Sequence, residues 1–216
     1  MSVSVMCMQQ EDRNRAERKL RSAARAAAAH LPTGLPPVFF LTDPKRTPDP
    51  AETASRLPAG WGIIYRHFGA ADRYEMARRI IAVARQSHVL VLIANDPGLA
   101  ADVGADGVHW PFAARSGARK WRTRFPLMTA SAHSPEQVRL LQDTPVDAAL
   151  LSTVFASDSP SAGTPMGPLR LRAFARCTQT PLYALGGLTA ETASKIAPVA
   201  GIAGIEGIER VFGPRT

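Results

Sequence analysis

A chain of 216 residues that is 45% hydrophobic and 20% charged can bury one sizeable core, which excludes an intrinsically disordered protein. No apolar run approaches the roughly 18 to 20 residues that a membrane-spanning helix needs, and the early basic residues ahead of the alanine run at 26–29 are interrupted by Glu11, Asp12, Glu17 and Arg25, unlike a signal peptide. A cytoplasmic protein is expected, with Cys7 and Cys177 reduced because they form no spacing motif, and a net charge of +8 favours anionic company: phosphorylated metabolites, nucleic acid or an anionic surface.

In chain order, residues 11–30 carry Ala, Arg, Glu, Lys and Leu without Gly or Pro and predict a helix, ended by the breakers in "LPTGLPP". Residues 1–36 therefore read as a basic N-terminal helical extension ahead of a domain over 37–216. The extension shows no aromatic interleaving and no reading motif, so nucleic-acid binding is not expected of it. From Val38 onward, short apolar runs alternate with amphipathic ones. The strand candidates are "VFFLTD", "GIIYRH", "VLVLIAND", "ADGVHW", "LMTASAHS", "DAALLSTVF", "PLYALGG" and "IAGIEGI". Helical patterns fall at 72–86, 113–123, 135–142, 167–177 and 190–199, and the last helix, after Ile208, is expected to be nearly absent.

Strand followed by helix, repeated, implies parallel strands joined by right-handed crossovers. Runs such as "HVLVLIA" are apolar at every position, as in a sheet covered on both faces. Eight such units with no G-x-G-x-x-G after the first strand predict an α/β fold, a closed (β/α)8 TIM barrel, with an open α/β sheet as the alternative. The domain is short for a barrel of typically ~250 residues, so the N-terminal helix is expected to cover part of the outer ring.

In a (β/α)8 barrel the polar residues that end the strands line the active site. Here Arg66 and His67 end the second run, Asn95 and Asp96 the third, His109 the fourth, Ser131 and His133 the fifth. Ser157 and Ser159 follow the sixth, and Gly186 and Gly187 the seventh. Each alone could be turn chemistry. Their joint position at one rim predicts a site there.

The motifs "FFLTDP", "IANDPGLAADVGADGVHW", "TASAHSPEQ", "LLSTVFASDSPSAG" and "PLYALGGLTAETASKIAPVAGIAGI", in this order, resemble the thiamine phosphate synthase and TenI family over nearly all of residues 38–208. The resemblance implies a barrel that binds a thiazole phosphate. Synthases of the family join that thiazole to a pyrimidine pyrophosphate with Mg²⁺, whereas TenI-like members shift a proton in a thiazole carboxylate phosphate. It further implies catalytic roles for His133, as acid/base, and Arg66. Substrate contacts are implied for Arg66, Asn95, Ser131, Ser157, Ser159, Gly186, Gly187 and Gly207, and a magnesium-ligand role for Asp96. Family barrels commonly self-associate, so a homo-oligomer is implied too.

The match is uneven where pyrophosphate chemistry is served. The family's Q-x-R-x-K pattern reads Ile64-Tyr65-Arg66-His67-Phe68 here, and the second metal carboxylate falls within Pro111-Phe112-Ala113-Ala114. Pro160 stands where a lysine is expected, and Glu206 where a small residue or serine borders the phosphate. Tyr65, His67 and Arg115 are positions from which lost contacts could be rebuilt. Expelling pyrophosphate depends on metal and cationic clamps, whereas a histidine with an ordinary pKa near ~6.5 suits proton transfer. The expectation is a TenI-like thiazole tautomerase, or a degenerate paralogue of the synthase, needing no cofactor. The alternatives are a divergent Mg²⁺-dependent synthase and a non-catalytic thiamine-pathway binding protein.

Overall fold

The computed structural model describes residues 3–157, 159 and 162–215. Among them, eight parallel strands close into a barrel in sequence order: β1 (Val38–Leu41), β2 (Gly62–Tyr65), β3 (Leu90–Ala94), β4 (Gly107–Trp110), β5 (Leu127–Ala132), β6 (Ala148–Ser152), β7 (Leu182–Leu185) and β8 (Gly201–Gly204). Closure is made by β8 against β1, with Phe39 opposite Ala203 and Phe40 opposite Gly204. An open sheet is thereby excluded.

The strands carry apolar residues on both faces because each face meets a different core. Phe39, Leu41, Ile64, Leu92, Leu150 and Tyr183 fill the lumen, whereas Val38, Phe40, Ile63, Tyr65, Val91 and Ile93 belong to the layer under the helices. Each fully buried side chain of this size contributes roughly 1.5–3 kcal/mol. At the lower end of the lumen the rings of Phe39 and Tyr183 lie 4.9 Å apart, and the Tyr183 hydroxyl donates to the Pro36 carbonyl at 2.6 Å. Glycines make room for these rings. A Cβ on Gly62 would stand 2.5 Å from Phe39, and one on Gly201 would stand 2.4 Å from Tyr183.

The outer ring comprises α2 (Pro50–Arg56), α3 (Arg73–Gln86), α4 (Pro97–Val103), α5 (Ala118–Trp121), α6 (Pro135–Leu141), α7 (Pro168–Ala175), α8 (Ala190–Ile196) and α9 (Glu206–Phe212). Three of these helices start alike, with a capping side chain followed by proline, whose missing N–H costs nothing at that position. Asp49 accepts from the Glu52 N–H at 3.0 Å, Asp96 from Leu99 at 2.9 Å and Ser134 from Gln137 at 3.3 Å. Helices α2 and α4 were not expected from periodicity, since seven residues make barely two turns. The helix expected over 113–123 is a 3-10 turn, Phe112–Gly117, running into the single turn of α5. The last helix is also fuller than expected, since α9 starts at Glu206 rather than after Ile208.

The N-terminal helix α1 (Val3–Ala28) packs against α8, α9 and β8, with Leu20, Ala23, Ala24 and Ala27 buried in the same core as the outer ring. Arg13 donates through Nε to the Val211 carbonyl at 2.6 Å and through Nη2 to that of Gly213 at 2.5 Å. Arg56 reaches the Gly213 carbonyl at 2.6 Å. Two cations thus satisfy carbonyls at the C-terminal end of α9, which have no partner inside the helix. Among the described residues no helix is long and apolar enough to cross a membrane.

Candidate functional site

A cavity of about 370 Å³ opens at the C-terminal mouth of the barrel. It is bordered by Arg46 from the β1 loop, Arg66 after β2, Ser152, Thr153, Ser157 and Ser159 from β6 and its loop, Gly186 and Gly187 after β7, and Glu206 and Gly207 after β8. Six of the expected site residues therefore meet here: Arg66, Ser157, Ser159, Gly186, Gly187 and Gly207. Asn95, Asp96, Ser131 and His133 do not border it. Pro160 lies outside the described residues.

The glycines are dictated by close approach of the loops. Gly187 has φ +62°, and a Cβ on it would meet the Ala156 carbonyl at 2.2 Å; a Cβ on Gly207 would meet that of Leu188 at 2.0 Å. The floor of the loops can therefore present bare backbone to a ligand, as phosphate-binding turns do.

The charges in this cavity are linked. The Arg66 backbone N–H donates to Thr42 Oγ1 at 2.9 Å, and its Nε donates to the Thr42 carbonyl at 3.1 Å, fixing the guanidinium 3.7 Å from Asp43. Burial lowers the Arg66 pKa, opposed by Asp43. Arg46 pairs with Asp43 at 2.8 Å and approaches Glu206 at 3.6 Å. The hydrogen bond from Arg46 holds the Asp43 carboxyl below its ordinary range, and Asp43 in turn raises the Arg46 pKa. Glu206, which would repel a phosphate if unaccompanied, thus stands beside a cation.

The β3–β5 part of the rim is different. Asn95 adopts φ +53°, a left-handed turn that asparagine tolerates better than most residues, and its N–H donates to the His109 carbonyl at 2.8 Å. Asp96 Oδ1 caps α4, while its Oδ2 meets Arg73 Nη1 at 2.5 Å. His109 is buried with both ring nitrogens engaged, Nδ1 with Thr129 Oγ1 and Nε2 with Ser131 Oγ, each at 2.8 Å. Burial, reinforced by Arg66, lowers its pKa to about 3. His133 is exposed, with Nδ1 2.9 Å from Ser152 Oγ, and its backbone N–H donates to Gln137 Oε1 at 2.8 Å.

The family model described as thiamine monophosphate synthase matches residues 38–210. The chain belongs to the thiamine monophosphate synthase family. It is 30% identical to the provisionally named thiamine-phosphate synthase 2 of Aquifex aeolicus over 164 residues, 73% of this chain and 88% of that one. It is 31% identical to the thiamine-phosphate synthase of Koribacter versatilis over 147 residues, 64% of this chain and 68% of that one. The fold matches thiamine phosphate pyrophosphorylase from Pyrococcus furiosus with a TM-score of 0.66 at 20% identity, covering 82% and 93% of the two chains.

The magnesium site that the family implies does not fit these residues. Asp96, the expected ligand, has one oxygen on a helix N-terminus and the other on a guanidinium, so a divalent cation would have to approach against Arg73. Ala113 and Ala114 offer no second carboxylate. Among the described residues no group of three or more His, Cys, Asp or Glu side chains could hold a metal ion. Tyr65, His67 and Arg115 do not border the cavity. The Tyr65 hydroxyl donates to the Arg73 carbonyl at 3.2 Å and its ring packs 4.9 Å from that of His67. Arg115 folds over the Phe112 ring at 4.1 Å.

Three residues escaped the sequence reading. Arg46 and Ser152 follow or end strands at the rim and could have been found by that position alone. Arg73 lies inside a helix and gave no such signal.

Proposed function

We propose that this family member binds a thiazole phosphate at the mouth of the barrel and isomerises it by proton transfer, without a divalent cation. The observation that carries the reading is the Arg73–Asp96 pair, with the α4 cap on the other carboxylate oxygen. The position from which magnesium chemistry would be organised is spent on protein charge and backbone.

The cavity supports such a ligand chemically. Arg66 and Arg46 offer guanidinium donors to an anion, and charge-assisted bonds of this kind are about twice as strong as neutral ones. Ser157, Ser159 and the backbone at Gly186 and Gly187 offer further polar contacts, while Leu185, Leu188 and Ile205 present apolar surface to a heteroaromatic ring. A proton shift needs no electrophile strong enough to expel pyrophosphate. It needs a base and its conjugate acid at the right atom.

The second reading, a divergent magnesium-dependent synthase, is favoured by the names of the relatives and by the retained Arg66, Asn95 and Asp96. One side-by-side assay separates the readings. Purified protein receives thiazole carboxylate phosphate alone with EDTA, and separately the thiazole phosphate plus pyrimidine pyrophosphate with saturating Mg²⁺. Isomerisation in the first arm is expected. Thiamine phosphate in the second arm, with a silent first arm, overturns the proposal in favour of the synthase. Tight binding with both arms silent makes the chain a non-catalytic binding protein.

A further inference from the structure

We propose that Ser152 is the catalytic proton carrier of this site and that His133, through Ser152, is the reservoir behind it. The inference rests on the isomerase reading above and deepens it by assigning the base.

Ser152 ends β6 and borders the cavity, and its Oγ lies 2.9 Å from His133 Nδ1. His133 does not border the cavity itself, so its proton traffic with a ligand there runs through a hydroxyl. The ring is placed by a rigid local device. The His133 backbone N–H donates to Gln137 Oε1 at 2.8 Å, and Gln137 sits in the first turn of α6, capped by Ser134 at 3.3 Å. The nearby His109 cannot serve: it is fully buried, both nitrogens are committed to Thr129 and Ser131, and it stays neutral down to a pH of about 3. The acids on the cavity wall are ion-paired, Glu206 with Arg46 at 3.6 Å and Glu191 with Lys19 at 3.4 Å.

With the His133 proton on Nε2, the Ser152 hydroxyl donates to Nδ1. As the C–H bond of the bound thiazole carboxylate phosphate breaks, Ser152 Oγ takes that proton and passes its own to Nδ1, and the electron pair moves into the ring's conjugated system. The reverse passage returns one proton to the other end of that system. One C–H bond is lost and one is formed, and Ser152 and His133 end as they began. A relay of this type contributes typically 10²–10⁴-fold to rate.

The test uses the full-length protein with thiazole carboxylate phosphate in deuterated buffer. Isomerisation and deuterium incorporation are followed by NMR, and affinity by calorimetry. Ser152→Ala is expected to lose about 100-fold in kcat with affinity within about 2-fold, Ser152→Thr to recover part of that loss because it keeps the hydroxyl, and His133→Gln to fall with Ser152→Ala rather than add to it. A purely structural role for His133 would not move its ring ¹⁵N shifts on ligand binding. The relay predicts that they move in the wild type and not in Ser152→Ala. Wild-type turnover that survives Ser152→Ala, or is lost instead in Glu206→Gln, overturns the relay alone. A wild type that binds the compound yet catalyses neither isomerisation nor exchange overturns the relay together with the isomerase reading.

Discussion

On the side of the rim formed by β6, β7, β8, β1 and β2, the polar side chains Arg46, Arg66, Ser152, Ser157 and Ser159 border open space. On the side formed by β3, β4 and β5, equally polar residues are turned on one another: Asp96 on Arg73, His109 on Thr129 and Ser131. Both sides look alike as strand-end polarity. Residues on both sides have partners, Arg46 with Asp43, Arg66 with Thr42 and Ser152 with His133 on the first. What separates the sides is that the first group also borders the cavity, whereas Asp96 and His109 do not and have each side-chain polar atom committed within the protein. Under the proposed function the open side is the ligand side, and the β3–β5 side, apart from His133, is scaffold.

The sharpest way to break this division is at His109. Its removal by His109→Ala leaves the hydroxyls of Thr129 and Ser131 without their partner and opens a void in the upper lumen, so a loss of roughly 3–4 kcal/mol in urea unfolding is expected. Affinity for thiazole phosphate should change far less. Acid offers an independent check. The folded-state pKa of about 3 lies below the ordinary histidine value of 6.5. In that window the unfolded chain binds a proton that the folded chain does not, so stability falls as pH drops from about 6.5 toward 3. The slope in that window should flatten in His109→Gln. A wild-type stability that is level from pH 6.5 to 4 would contradict the buried neutral imidazole.

Next in size is Arg66→Ala on the open side. Here a guanidinium held by Thr42 beside Asp43 is lost from the cavity wall. With charged hydrogen bonds contributing roughly 1.5–3 kcal/mol, affinity for thiazole phosphate should weaken about 10- to 100-fold in calorimetry. Binding that stays within 2-fold of wild type would move the ligand away from this half of the rim.

Asp96→Ala is the matched change on the satisfied side. It removes the cap of α4 and the partner of Arg73, and should cost about 1–2 kcal/mol of stability, as caps do. Thiazole phosphate affinity should remain unchanged, with and without Mg²⁺. A magnesium-dependent fall in affinity on this substitution would return Asp96 to the ligand side and revive the synthase reading.

The barrel was legible because its strands are continuous apolar runs that need no periodicity to be seen, and all eight lie where the runs predict. The short helices were not, since α2 and α4 are too brief to show a 3.6-residue pattern; their starts were nevertheless written in Asp49-Pro50 and Asp96-Pro97. At the site, strand-end position brought out Arg66, Asn95, Asp96, Ser131 and His133 together. It could not say which would face space, because that depends on residues far off in the chain. Arg73 reaches Asp96 from a different βα unit, and the β4–β5 register that sets His109 opposite Thr129 is decided by the closed barrel.

The smallest expected effect lies at Glu206, a carboxylate on the open side. Its carboxylate stands 3.6 Å from Arg46 and 3.9 Å from Arg210, half exposed. Ion pairs with that much exposure add little to stability, so Glu206→Gln should leave the unfolding midpoint unchanged. The same substitution removes a negative charge from the wall of the proposed anion-binding cavity and leaves Arg46 with Asp43 as its remaining carboxylate partner. Through solvent-screened distances this is an effect of about 0.5–1 kcal/mol, or roughly 2- to 5-fold tighter binding of thiazole phosphate. The gain should shrink when salt is raised toward 0.5 M, because the Debye length then falls to a few ångströms. Weaker binding in Glu206→Gln would mean that Glu206 positions Arg46 for the ligand more than it repels the phosphate, and that the Asp43–Arg46–Glu206 chain acts as one unit in recognition.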